Sequence, residues 1–383
     1  MTEDSQLRSE LFDWYTSLIP TQVECHPWGP VIWNDPSASS KQNSIGSTRK
    51  LALVLDLDLT LVHAKQLSDF THPFDPALLG KVSFGCDSDN PQIFCLWLDE
   101  QPYIIKLRPG VRQFLRELAP LYELNIFTKA TRPYLNFIRA ALDPDCELFA
   151  KSISRDDATD LDINTKVMSL VSARPLTELV VFDDRQSVWR ECQENVIRAE
   201  PYVYLDKKMT TLGAAINNST GVCEDPDRHL DAIKEVLKSI HQEYAKGGCD
   251  VRQVIKSVRS RALLGCRIMF SGVPKDELPE YMAAVASLGG EVTTNEDDLP
   301  TDADAEPKLT HLIVVGGGKY NTKKVYDARK FNGRVKVVHG AWLQLAVSIW
   351  RRPDEASFDL ARFAYDFEGK VAIDVDPWEY FSK

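Results

Sequence analysis

From Leu51 to about Leu205 the chain alternates short β-rich apolar runs with stretches whose apolar residues recur at helical spacing. The runs at 51–55, 123–127 and 178–182 read as strands. Between them, a helix opened by Pro109 carries Val111, Phe114, Leu115 and Leu118 on one face, and a second helix covers 131–142. Proline suits a first helical turn because no N–H donor is needed there. Strands separated by helices predict a parallel α/β sheet. A segment of about forty residues between the first strand and the first helix holds two more β-rich runs, 93–98 and 103–107, which read as a β-hairpin insertion.

The pattern then changes. Leu230, Ile233, Val236, Leu237 and Ile240, followed by Val251, Val254, Ile255 and Val258, mark two amphipathic helices that predict a helical bridge over 206–262. Strands at 266–270, 312–315 and 335–338 alternate with helices at 276–288 and 323–331 and a last helix holding Trp342; these predict a small, separate α/β unit over 263–352. Residues 1–50, rich in proline and then polar, read as an N-terminal arm, and 353–383 as an acidic and aromatic tail.

Length and composition narrow the class. A chain of 383 residues suggests two or three domains, and 44% hydrophobic with 26% charged residues is ordinary for globular protein. The formal charge of −11 argues against broad electrostatic binding to nucleic acid, so no direct nucleic-acid partner is expected. No apolar stretch approaches the ~18 residues of a bilayer span, and no basic-then-apolar leader is present, so no membrane role or secretion is expected. The eight cysteines form no C-x-x-C pair, which points to a reducing compartment without a zinc or disulfide framework; Cys25 beside His26 reads as chance adjacency.

Three of the apolar strands end on polar residues: 51–55 on Asp56, 123–127 on Thr128, and 178–182 on Asp183-Asp184. A parallel sheet gathers its strand carboxyl ends on one edge, where such folds bind ligands, so these residues are expected to converge. Asp56 and Asp58, two apart, point to the same side if the chain is still extended. Up to four carboxylates in one pocket need a compensating cation, and Mg²⁺, a hard ion that prefers oxygen ligands, is the expected cofactor. Lys166, seventeen residues before Asp183 and early in a helical run, would add positive charge. Bland readings stand beside these: a solvated turn for the acid pair, a helix N-cap for Asp183 or Asp184, and a surface position for Lys166.

Five blocks in order, at 56–63, 106–111, 121–128, 153–157 and 181–189, resemble the TFIIF-associating phosphatases of the RNA polymerase II C-terminal domain, within the haloacid dehalogenase superfamily. The later unit, with Gly289-Gly290 and Trp342, resembles the BRCT domain that follows the phosphatase module in that family. The resemblance implies a haloacid dehalogenase-like parallel sheet over 51–205 and a protein serine/threonine phosphatase that acts on the phosphorylated polymerase repeat in the nucleus. It implies Asp56 as nucleophile, Asp58 as general acid and base, and Thr128 and Lys166 as phosphate ligands. Mg²⁺ would be held by Asp56, Asp184 and the backbone carbonyl of Asp58, with Asp183 behind them. Thr60, Arg108 and Arg155 would lie at the phosphate or substrate. In the BRCT-like unit Ser271, Gly272 and Lys324 match a phosphate pocket, and transcription factors are expected as further partners. The chain departs from the family at Lys129-Ala130, where methionine and glycine are usual, and in its tail, reduced to a short acidic and aromatic stretch.

Two decoys are rejected. Cys192 to Arg198 fits C-x5-R but lacks a glycine-rich loop and has Glu191 before the cysteine, which disfavours its thiolate. The run 316–319 evokes a P-loop, but Ile313 and Tyr320 stand where glycine and serine or threonine are required. The rival functions are a haloacid dehalogenase-type phosphatase for small molecules and a BRCT-based phosphoprotein-binding scaffold with a dead phosphatase module. The insertion looks too small and too β-rich to seal the site over a small molecule, and every group the reaction requires is present.

Overall fold

The computed structural model describes residues 50–66, 69, 83–84, 93–98, 101–158, 165–205, 225, 227–300, 302, 304–315 and 322–360. The arm over 1–49, the glycine run at 316–319 and the tail beyond 360 lie outside the described residues.

The first sheet is built on β1 (Leu51–Leu55), flanked by β6 (Tyr122–Phe127) and β8 (Leu179–Asp183). With β7 (Phe149–Ile153) and β9 (Val196–Arg198) the order is β7-β6-β1-β8-β9, all parallel. Every residue of β1 is buried, which is why it reads as an unbroken apolar run: both faces of the strand are covered. Helix α1 (Val111–Leu118) buries the four predicted stripe residues, and its lead-in Gly110 has φ 74°, a left-handed geometry open to glycine. Helix α2 (Arg132–Leu142) starts after Thr131 with proline in its first turn.

The predicted hairpin, β4 (Ile93–Leu98) with β5 (Gln101–Leu107), is antiparallel but belongs to a wider sheet, β2-β5-β4-β3, with β2 at Val62–Gln66 and β3 at Ser83–Phe84. Strand β2 leaves the turn after Asp56 directly, so the insertion is rooted in the candidate site.

Helices α4 (His229–Ala245) and α5 (Val251–Arg259) do more than bridge. Their stripe, including Leu230, Ile233, Leu237, Ile240, Val251 and Ile255, joins the same hydrophobic core as β1. The second unit is a parallel sheet of order β11-β10-β12-β13: β10 Arg267–Ser271, β11 Glu291–Val292, β12 His311–Val314 and β13 Lys336–His339. Helices α6 (Leu278–Ser287), α7 (Lys323–Arg329) and α8 (Ala341–Ile349) accompany it. A Cβ on Gly289 would lie 1.8 Å from the Ser260 carbonyl oxygen, so only glycine permits the close approach to the end of α5.

This unit is less separate than its sequence suggests. Trp350, just after α8, is buried in the first core, with the Arg259 guanidinium 5.4 Å from its ring. Ser348 Oγ lies 3.3 Å from His229 Nδ1 at the start of α4.

Candidate active site

Asp56 leaves β1 with its N–H donated to the Phe182 carbonyl of β8 (3.0 Å), and the chain then folds into a tight turn. The N–H groups of Thr60, Leu61 and Val62 all point to the Leu57 carbonyl, at 3.2, 2.8 and 3.0 Å. Leu59 has φ 60°, a left-handed conformation that costs a non-glycine residue about 1–2 kcal/mol. Neighbours hold it there: Tyr202 N–H donates to the Leu59 carbonyl (2.7 Å) and Arg108 N–H to that of Leu61 (2.9 Å).

Inside the turn, Thr60 Oγ1 donates to Asp56 Oδ2 (3.3 Å) and accepts from Asp184 N–H (3.1 Å). Thr60 is fully buried, so its hydroxyl braces the β1 and β8 loops against each other instead of facing a substrate as expected.

Lys166 lies two residues ahead of the short helix α3 (Met168–Val171), not early within a helix as expected, its N–H held by the Val188 carbonyl (2.8 Å). Its ammonium bridges Asp56 Oδ1 at 2.5 Å and Asp183 Oδ2 at 2.7 Å. Burial alone would lower the lysine pKa, but the two carboxylates outweigh it and raise it, so the charge stays on. The rings of Phe127 and Trp189 lie 5.7 and 5.4 Å from the ammonium.

Asp183 is saturated by protein: Oδ2 also accepts from Trp189 Nε1 (2.8 Å) and Oδ1 from Arg185 N–H (2.7 Å). Asp56 has one partner on each oxygen, Lys166 on Oδ1 and the Thr60 hydroxyl on Oδ2, the latter at a long 3.3 Å that leaves the oxygen further capacity. Burial, reinforced by Asp183 against the pull of Lys166, pushes the Asp56 carboxyl up to about 8. Burial and then Asp183 push Asp184 up to about 6. One oxygen from each of Asp56, Asp183 and Asp184 falls within 4.8 Å of the others. This oxygen-only donor set fits a hard divalent cation. Since Asp183 is occupied, Asp56 and Asp184 are the carboxylates with coordination to offer.

Asp58 is held on both oxygens: Tyr134 OH donates to Oδ1 at 2.5 Å and Thr128 Oγ1 lies 3.5 Å from Oδ2. Burial raises the Asp58 pKa, with the Tyr134 bond opposing. Thr128 Oγ1 also accepts from Ala130 N–H (3.0 Å), which fixes its rotamer. Sequence reasoning missed Tyr134 and Trp189. Tyr134 falls in a helical stripe with Leu135 and Ile138, where a buried aromatic looks like core, and nothing local reveals that its hydroxyl meets Asp58.

The expected arginines part company. Arg108 is buried, and its guanidinium is committed to protein: Nε and Nη2 to Asp227 (3.1 and 3.0 Å), Nη1 to the carbonyls of Thr60 (3.0 Å) and Glu200 (2.9 Å). It supports the turn from behind and does not extend toward a phosphate, which corrects its expected place. Arg155, by contrast, is exposed at the carboxyl end of β7 beside the Ala130 loop, and among the described residues its ion pair is a loose one, to Asp156 at 3.9 Å.

In the second unit, Ser271 Oγ lies 3.0 Å from Thr322 Oγ1, and Lys324 Nζ is 3.5 Å from the Phe270 carbonyl. These three side chains therefore meet where β10 ends and α7 begins. The rejected cysteine motif stays inert, since burial and Glu191 push the Cys192 thiol up to about 11.

A central parallel sheet that ends on Asp56, Thr128 and Asp183-Asp184, with a buried ammonium between two carboxylates, defines a phosphatase-type α/β module with a cation site. The chain belongs to the NLI interacting factor-like phosphatase family, whose pattern it matches over residues 51–245. It is 29% identical to an RNA polymerase II C-terminal domain phosphatase of Caenorhabditis elegans, over 85% of this chain and 48% of the relative. The chain thus spans about half the length of that relative. Among solved structures it resembles Fcp1, an essential RNA polymerase II CTD phosphatase, at 26% identity and TM-score 0.57, over 82% of this chain and 96% of that one. Fission yeast RNA polymerase II CTD phosphatase Fcp1 bound to beryllium fluoride gives 26% identity and TM-score 0.56, over 81% and 96%. Among the described residues no helix is long and apolar enough to cross a membrane.

Proposed function

We propose that this chain is a Mg²⁺-dependent protein serine/threonine phosphatase acting through an aspartyl phosphate on Asp56, with the phosphorylated C-terminal repeat of RNA polymerase II as its nuclear substrate. The observation that carries this reading is the placement of two carboxyls in one pocket: Asp56, held against the Lys166 ammonium and beside Asp184, and Asp58, hydrogen-bonded by Tyr134 with its pKa raised by burial. A cation bound beside Lys166 would hold Asp56 as the anion a nucleophile must be, while Asp58, away from that cation, keeps the proton a general acid requires.

In the first step Asp56 Oδ attacks phosphorus, the bond from phosphorus to the serine or threonine oxygen breaks, and Asp58 gives that oxygen its proton. In the second, Asp58 takes a proton from water as the water oxygen attacks phosphorus, which releases inorganic phosphate and restores Asp56. Thr128 and Lys166 bind phosphate oxygens, and Arg155, exposed at the strand edge, receives the substrate. Asp56, Asp184 and the Asp58 carbonyl would hold Mg²⁺, which would supply positive charge to offset that of the transferring phosphoryl group. Asp183 keeps Lys166 in place. The relatives' substrate supports the polymerase repeat as the target.

Ser271, Thr322 and Lys324 would give the second unit a site for another phosphate of the same repeat or of a transcription factor. The test is hydrolysis of an aryl phosphate and of a phosphorylated repeat peptide by the purified chain, with Mg²⁺ and with EDTA. Magnesium-dependent turnover of both is expected, with the peptide preferred. Turnover in EDTA would refute the mechanism, and turnover of the aryl ester without the peptide would refute the substrate.

A further inference from the structure

The segment just before α4 carries Asp225 and Asp227, and the end of β5 carries Lys106 and Arg108. Both pairs have a spacing of two, which in extended chain puts both members on one side. The structure joins them acid to base. Lys106 Nζ lies 3.4 Å from Asp225 Oδ2, and Arg108 holds Asp227 with two N–H groups. Both bases are fully buried in their side chains, and Asp225 and Asp227 are 5% and 13% exposed.

The two pairs differ in what else they touch. Lys106 also donates to the Leu107 carbonyl (2.7 Å), and Asp225 accepts from Tyr202 OH (2.5 Å) and from the Asp227 N–H (3.1 Å), which ties it to the turn indirectly, through the Tyr202 backbone and Asp227. Arg108 reaches the Thr60 carbonyl with Nη1, and its backbone N–H holds the Leu61 carbonyl. Thr60 in turn contacts Asp56 and Asp184. Asp227 Oδ1 also accepts the N–H of His229, so the carboxylate is fixed by the start of α4 as well as by the arginine.

We propose that Asp227 is a positioning residue for the Asp56–Thr60 turn, acting through Arg108. The fork of Arg108 fits a carboxylate only in one plane, so fixing two of its N–H groups on Asp227 aims the third at Thr60. This turn holds a left-handed leucine, Leu59, between Asp56 and Thr60, so it keeps its shape only while its neighbours brace it. A displacement of 1 Å at a nucleophile can cost ~10²-fold in rate.

The inference rests on Asp56 being the nucleophile, and the experiment separates the two. D227N and D298N, the second removing the buried acid paired with Arg267 in the other unit, are compared with wild type in this whole chain by Tm, by kcat and KM on an aryl phosphate with Mg²⁺, and by amide hydrogen exchange over 57–62. Each loses the acid that holds an arginine, so both are expected to lower Tm, on the order of 5–10 °C. Only D227N is expected to lower kcat, by ~10–100-fold, with KM within about threefold, and to speed exchange of the Thr60, Leu61 and Val62 amides. Equal kcat losses in the two variants, or unchanged exchange in D227N, would overturn the proposal. An inactive wild type would instead sink the assignment of Asp56, and the exchange comparison would still decide the role of Asp227. Should D227N fail to fold, R108K keeps the buried charge without the fork and is read by the same two measures.

Discussion

Both α/β units run their strands in parallel and so collect strand ends on one edge, yet the two edges are equipped differently. The first ends on Asp56, Thr128 and Asp183, with Asp58, Asp184 and the Lys166 ammonium beside them; two of the carboxyls, at Asp56 and Asp184, are raised to about 8 and about 6 by burial and by the charge of Asp183. The second ends β10 on Ser271, next to Thr322 and Lys324, and among the described residues no group of acids suited to a cation occurs there. Topology supplies a place for a ligand in each case. Whether that place can do covalent chemistry depends on a nucleophile, a proton carrier and a counter-charge being desolvated together, and only the first edge has all three.

The largest expected effect tests that contrast directly. Asp56→Asn should abolish turnover, by on the order of 10⁴-fold or more, with an unchanged fold, because a near-isosteric amide cannot serve as an anionic nucleophile. Residual turnover above a hundredth of wild type would move the nucleophile elsewhere. Asp58→Asn should slow hydrolysis of alkyl phosphoserine by ~10²–10⁴-fold and that of nitrophenyl phosphate much less, because nitrophenolate leaves without a proton. Burst kinetics on both esters shows which step is slowed, and equal losses in the first step would deny Asp58 the acid role.

A third prediction sharpens what the two units share. Trp350 belongs by sequence to the second unit but fills the core of the first, so Trp350→Ala should cost ~3–5 kcal/mol in the unfolding of the phosphatase module, read by denaturant titration. At about 20 °C, below the lowered transition, kcat on an aryl phosphate should stay near wild type. A large fall in kcat without loss of stability would mean that the second unit takes part in the chemistry.

The strands that build the catalytic edge were legible because each is a buried apolar run stopped by a polar residue, and such a run survives any tertiary context. Strands β7 and β9 were missed for the opposite reason: β7 reads Phe-Ala-Lys-Ser-Ile with exposed residues between its buried ends, and β9 has three residues. Strand β2, Val-His-Ala-Lys-Gln, is half polar and carried no signal of its own. Among site residues, Asp56, Asp58, Thr128, Asp183 and Asp184 could be placed together because strand topology alone brings them there. Tyr134 and Trp189 could not, since each acts through one polar atom on an otherwise core-like ring. Arg108 misled because an arginine at a strand end suits either a phosphate or a carboxylate. The matched spacing of Asp225 and Asp227 with Lys106 and Arg108 was the available clue, at more than a hundred residues' separation.

A smaller effect follows from the raised carboxyls. Both folded pKa values exceed the ordinary 3.8, so without a cation the protonated forms favour the fold; this stability is fully present below pH 3.8 and is lost as pH rises through about 6 and about 8. A cation must displace those protons. Apparent Mg²⁺ affinity should therefore climb between about pH 6 and about pH 8, by about tenfold per unit for each proton released, and level off above. Calorimetry in buffers of different ionisation enthalpy counts the protons. A flat affinity over this range would mean that Asp56 and Asp184 are already ionised in the free protein and that the cation displaces no proton from them.

The smallest expected effect lies at the second edge. Ser271 is buried with its hydroxyl on Thr322, and Lys324 leans on the Phe270 carbonyl, so the group can be read as a strand end closing on itself. It can equally be read as a hydroxyl pair and an ammonium waiting for a dianion, which would replace a 3.5 Å contact with a charge-assisted bond. The two readings differ in what the paired substitution Ser271→Ala with Lys324→Ala should do. If the group only closes the strand end, Tm shifts slightly and kinetics do not change. If it holds a second phosphate of a repetitive substrate, the tether raises effective concentration at Asp56, and its loss should raise KM a few-fold, roughly 3–10-fold, for long multiply phosphorylated repeats alone. Single-phosphate peptides and aryl phosphates lack a second anchor, so their KM values should not move. Because the substitutions lie in the other unit, kcat should stay constant on every substrate. A KM rise that grows with phosphate number would give the second edge a binding role matched to the chemistry of the first; equal KM values at all lengths would leave it structural.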